Sequence, residues 1–105
     1  MIYELRVYSV VPNRRKALYD RFANGAIALL KKHGFQIVDM WEPTDGQEKF
    51  IYLLAWEDAN AREKGWHDFR FDPDWQKLKT ESEAEGVILT KMEHYLLHSA
   101  PFFQK

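Results

Sequence analysis

The residues of this chain best suited to chemistry are a polar trio near its start and four scattered histidines. Glu4, Arg6 and Tyr8 alternate with Tyr3, Leu5 and Val7. Successive side chains of a strand point to opposite faces, so the trio shares one face, with neighbours about 7 Å apart. The simplest role for Glu4 and Arg6 is an ion pair along the strand. The alternative is that Arg6, planar and always charged, grips a carboxylate or enolate of a small substrate while Tyr8 borders it. His33, His67, His94 and His98 add imidazoles, a group that titrates near neutrality and suits proton transfer. None stands at a metal-ligand spacing: His94 and His98, four residues apart on a strand, lie about 13 Å from one another. His33, in the last turn of a helix, is accounted for by the helix dipole. That leaves His67, beside Trp66, and His94 as pocket candidates. Ligand sites are mainly apolar with a few convergent polar groups, and Trp41 and Tyr52 are the rings expected to line one. Trp56 and Trp75 read as core anchors, and Glu81, Glu83 and Glu85 as a solvated face. The candidate ligand-binding set is therefore Glu4, Arg6, Tyr8, Trp41, Tyr52, His67 and His94, with no residue given a catalytic role and no metal ligand.

Composition removes several classes of function. The chain has no cysteine, so thiolate nucleophiles, thiolate metal sites and disulfides are excluded. Fifteen Lys and Arg face sixteen Asp and Glu, a net charge of -1 with no basic run, which argues against a nucleic-acid partner. There is no Gly-rich phosphate loop and no carboxylate pair at catalytic spacing, so nucleotide and glycoside chemistry are not expected, and neither is a cofactor. No apolar run approaches the roughly 20 residues that span a bilayer, and the first residues lack the pattern of a signal peptide. A cytoplasmic protein with no membrane partner is the expectation.

The elements that would hold these residues can be read from periodicity. A single domain over 1–105 is expected from the length and from 46% apolar and 30% charged residues. Residues 2–10 alternate as a strand. From Arg14 the period changes, with Leu18, Phe22, Ala26, Leu29 and Leu30 marking a long amphipathic helix closed by Gly34. Gly25 lies inside that helix, at a cost of about 1 kcal/mol relative to Ala unless something packs closely there. Residues 35–42 and 49–56 form a hairpin around Pro43-Thr44-Asp45-Gly46. Asp58 is placed to cap a helix from Ala59 to about Phe69, and Asp72-Pro73 to start a shorter one ended by Gly86. Val87–Leu97 is the last strand, followed by the apolar tail Ala100-Pro101-Phe102-Phe103. The order βαββαβ with a broken second helix gives an α+β, ferredoxin-like fold with a four-stranded antiparallel sheet. The strand from Phe50 to Trp56 is apolar on both faces, and a chain this short has helices for only one of them, so a second subunit is expected on the other, with the tail docked on it.

Five segments in order, YELRVY before a proline, LLKKHG, YLLAWED, DPDW and PFF, resemble the NIPSNAP family of dimeric α/β-barrel proteins across nearly the whole chain. Two positions depart from the pattern: Asn13 stands where a Gly is expected, and Phe71 extends the aromatic run of Trp66 and Phe69. The resemblance implies a homodimer whose two sheets enclose a barrel, with a pocket in each subunit between sheet and helices for a small apolar, aromatic or unsaturated organic molecule. The wider superfamily includes haem-degrading and quinone-forming monooxygenases, isomerases, cyclases and stress-responsive proteins, so a cofactor-free monooxygenase or isomerase is the alternative to simple binding. The Asn of haem-degrading relatives is replaced by Arg6, and Trp66 and His67 are adjacent rather than spread over successive turns, so that triad is not reproduced.

Overall fold

The computed structural model describes residues 1–103. Its elements are strand β1 (Ile2–Val10), helix α1 (Arg15–Arg21), a wide π turn (Phe22–Ala26), helix α2 (Ile27–Lys32), strands β2 (Gln36–Trp41) and β3 (Lys49–Trp56), helices α3 (Ala59–Arg70) and α4 (Pro73–Ser82), and strand β4 (Leu89–Leu97). The strands form one antiparallel sheet in the order β2-β3-β1-β4, the ferredoxin-like α+β architecture expected from the order of elements.

All helices lie on one face of the sheet. Tyr8, Val10, Phe50, Tyr52, Leu54 and Trp56 project from that face and are buried with Leu18, Phe22, Ala26 and Leu30 of the first helical stretch and Trp66 and Phe69 of α3. Phe35, expected to open β2, instead drops into this core just before the strand, its ring 4.7 Å from those of Trp56 and Trp66. Ile88 does the same ahead of β4, which begins two residues later than its apolar run suggests.

Local chemistry explains the breaks. Asn13 has φ 69°, the left-handed conformation in which Asn is the most tolerated residue after Gly, so it supplies the turn that a glycine would otherwise make. The Asp58 carboxylate caps α3 by accepting from the Ala61 N–H at 2.8 Å, and Asp72 caps α4 by accepting from the Asp74 N–H with Pro73 in the first turn. Gly25 is explained by packing: a Cβ there would come within 2.8 Å of a methyl of Leu78 on α4. Gly65 does the same for α3, where a Cβ would meet the Trp56 ring at 2.7 Å. The Glu81, Glu83, Glu85 run is not uniformly solvated. Glu83 is half-buried and pairs with the buried Arg21 at 3.1 Å, because α4 crosses α1 at that point.

The opposite face of the sheet carries no helix. It presents Tyr3, Leu5 and Val7 of β1, Ile51, Leu53 and Ala55 of β3, Trp41 of β2, and Tyr95 and Leu97 of β4, with Trp41 42%, Tyr95 49% and Leu97 44% exposed. In the tail, Phe102 and Phe103 are exposed. No helix among the described residues is long and apolar enough to cross a membrane.

Candidate functional site: a cationic aromatic cavity over β1

The site is built around Glu4. Its side chain is 0% exposed, and a carboxylate so placed persists only if its charge is met. Five hydrogen bonds meet it. Oε1 accepts from the indole N–H of Trp56 (3.0 Å), the indole N–H of Trp66 (3.0 Å) and Arg62 Nε (2.9 Å). Oε2 accepts from Arg62 Nη2 (3.1 Å) and Arg6 Nη1 (3.1 Å). Burial alone would raise the pKa of this carboxyl. The bonds from Arg62, Trp66 and Trp56, with the charge of Arg6, outweigh that and hold it below its ordinary value. Arg62 and Trp66 reach Glu4 together because residues four apart share a face of α3.

Arg6 extends from this centre. Its guanidinium lies 4.5 Å from the Trp66 ring centroid, a cation–π contact, and its Nη2 donates to Tyr8 Oη at 3.3 Å. Tyr8 Oη shares a 2.6 Å hydrogen bond with Tyr52 Oη, and the two rings meet edge to face. Register explains the grouping: Arg6 sits between Tyr52 on β3 and His94 on β4, its direct cross-strand partners on the same face.

Above these residues, between the sheet and the helices, lies a cavity of about 590 Å³. Phe22, Ala26, Leu30, Phe69, Trp75 and Ile88 supply its apolar walls, and Met92 and His94 of the exposed edge strand β4 stand at its margin. Its charge is one-sided. Among the described residues, Arg6, Arg21, Arg62, Arg70 and Lys79 line it against a single carboxylate, Glu83, with Glu4 behind the wall.

Of the residues singled out in the sequence, the structure brings Arg6, Tyr8, Tyr52 and His94 together at this cavity, with Glu4 buried behind its wall. Trp41 is not brought there. An irregularity in the β2–β3 pairing between Ile37 and Asp39 shifts the register, so that Ile37 and Met40 face the helices and Trp41 faces the bare side of the sheet. His67 is not brought there either: it points outward from α3, its ring 4.9 Å from that of Phe71, in a separate shallow cleft. Its neighbour Trp66 is the residue that turns inward. Sequence reasoning missed Arg21, Arg62 and Arg70. The spacing of Arg62, Trp66 and Phe69 on one face of α3, and of Leu18 and Arg21 on α1 with Phe22 at the start of the π turn, held the available signal. Among the described residues no group of His, Asp and Glu side chains is arranged to hold a metal ion.

Similar structures extend the picture. An uncharacterised NIPSNAP domain protein from Burkholderia xenovorans superposes with a TM-score of 0.83 over 100% of both chains at 17% identity. A NIPSNAP family protein from Agrobacterium tumefaciens gives 0.84 over 96% of this chain and 94% of that one at 15% identity. SnoaB, a cofactor-independent oxygenase from Streptomyces nogalater, gives 0.65 over 99% and 97% at 16% identity. At these identities the likeness is one of fold. No protein of curated function matches in sequence. The sequence model of the NIPSNAP family matches residues 3–104, nearly the whole chain, and the protein belongs to the NIPSNAP family.

Proposed function

We propose that this protein is a homodimer that binds a small, largely apolar or aromatic organic molecule in the cavity of each subunit. The observation that carries the reading is the pairing of volume with lining. A space of about 590 Å³ lies within the range of ligand sites, and aromatic walls around an excess of cationic side chains favour a molecule with an anionic or ionisable oxygen. The bare face of the sheet supports the dimer, since contiguous exposed apolar surface marks an interface. Aromatic acids and phenols should raise the thermal transition and quench tryptophan fluorescence, because Trp66 and Trp75 line the cavity. Met92→Trp, which adds bulk at the margin on an exposed edge strand, should weaken that binding tenfold or more with little change in stability. Unchanged affinity would place the ligand elsewhere.

One observation favours a second reading, a cofactor-free enzyme of the monooxygenase or isomerase type. Arg6, Tyr8 and His94 share one cavity wall, an arrangement in which an anion-stabilising group and a base could act on one substrate. Turnover of a bound ligand by the wild type, lost in His94→Ala with binding retained, is the outcome that would select it.

A further inference from the structure

The polar groups at the floor of the cavity are unbalanced in a specific way: they are donors without acceptors. Tyr8 and Tyr52 have two hydroxyl protons between them and one hydrogen bond with each other. Neither hydroxyl meets another acceptor among the described residues, and Arg6 Nη2 donates to Tyr8 rather than accepting from it. One hydroxyl proton is therefore left over. Arg6 cannot take up that proton, since it is itself a donor turned to Glu4, Tyr8 and Tyr52, and the nearby carboxylate, Glu4, already accepts five hydrogen bonds. Burial pushes the Tyr52 hydroxyl well above its ordinary pKa, so it remains a donor.

We propose that Arg6, Tyr8 and Tyr52 form an oxyanion site, and that the molecule bound in the cavity carries a phenolic or enolic oxygen that is held there in its ionised form. The proposal rests on the reading of the cavity as a ligand site and names the ligand's reacting group. A single oxygen fits better than a carboxylate. The fork by which Arg grips a carboxylate needs parallel N–H groups, whereas here Nη1 is committed to Glu4, Nη2 to Tyr8, and Nε is enclosed without a partner. The free hydroxyl proton of the tyrosine pair points the bond to one atom, and the adjacent guanidinium supplies the charge. Tyr8 and Tyr52 are buried, and donors held in place in such surroundings stabilise an oxyanion strongly. The ligand's proton leaves to solvent on binding.

The probes are 4-nitrophenol, 4-nitroanisole and 4-nitrobenzoate, with calorimetry for affinity and absorbance for ionisation. Bound 4-nitrophenol should show the nitrophenolate band at a pH where the free compound is colourless, its pKa lowered by about one unit or more, a tenfold preference for the anion. Nitroanisole, which has no proton to lose, should bind at least tenfold more weakly. Tyr8→Phe and Tyr52→Phe should return the bound pKa towards the free value while keeping the affinity for nitroanisole. Nitrophenol bound without ionising, or nitrobenzoate bound as tightly as nitrophenol, would overturn the oxyanion site and leave the cavity as a ligand site. Failure of all three wild-type titrations would overturn the ligand site itself, and the oxyanion site with it.

Discussion

Glu4 is an acid that organises rather than reacts: all of its accepting capacity is spent on Arg6, Arg62, Trp56 and Trp66. Removing its charge while keeping its shape isolates that role. Glu4→Gln should cost about 3–5 kcal/mol of unfolding free energy, because two guanidinium groups are left partly buried without a counter-ion. The same dependence should appear with pH in the wild type. The folded-state pKa of Glu4 is held below its ordinary 4.5, so the unfolded chain binds more protons in this range and stability rises with pH. The contribution is complete above about 4.5 and is lost as pH falls through the folded value. Asp72 acts in the same sense, held far below the carboxylate range by hydrogen bonds from Lys32, His33 and the Asp74 N–H. Urea unfolding from about pH 6 to 3 should show a declining midpoint, less steep in Glu4→Gln. The Glu4–Arg6 pair was legible from its spacing on a strand. The rest of the network was not, since Arg62 and Trp66 come from about sixty residues further on, and only the approach of α3 to β1 joins them.

Among the elements, the first helical stretch shows how a pattern can be read correctly and its geometry missed. Leu18, Phe22, Ala26 and Leu30, all buried, are spaced by four throughout. At 3.6 residues per turn each step of four overshoots by about 40°, so such a stripe drifts off one face of a straight helix. The π turn at Phe22–Ala26 has more residues per turn and winds the stripe back over the core. The spacing called for a helix and did not, by itself, reveal the wide turn. Strand β2 teaches the same lesson with period two: its register shift moved Trp41 to the bare face, a change that alternation alone does not disclose. Helix α3 offers the sharpest test of packing. Gly65→Ala presses a methyl against the rigid Trp56 ring at 2.7 Å, whereas Gly25→Ala meets only the flexible end of Leu78. The first should cost about 1–3 kcal/mol, read as a fall in melting temperature. The second should cost less, since an Ala gains helix propensity. Equal losses would count against this account of the two glycines.

For the molecule as a whole, the order of elements was enough to derive the fold of the chain, and the doubly apolar β3 is the ground for proposing a second sheet against the bare face, which would bury both sides of the central strands. Light scattering at micromolar concentration should therefore give twice the chain mass. Leu53→Glu, at the centre of the bare face and opposite Leu5, should shift the population to monomer by placing a charge where two sheets would meet, while the cavity on the far side keeps its lining. What composition and pattern could not supply was the charge of that cavity, assembled from β1, α1, α3 and α4. Strand β1 joins the two sides, with Glu4, Arg6 and Tyr8 towards the cavity and Tyr3, Leu5 and Val7 towards the bare face. A substitution on β1 thus alters one surface at a time, whereas deletion of a single residue within it would reverse the parity of the strand and exchange the two, turning Leu5 and Val7 to the cavity and Arg6 to the bare face.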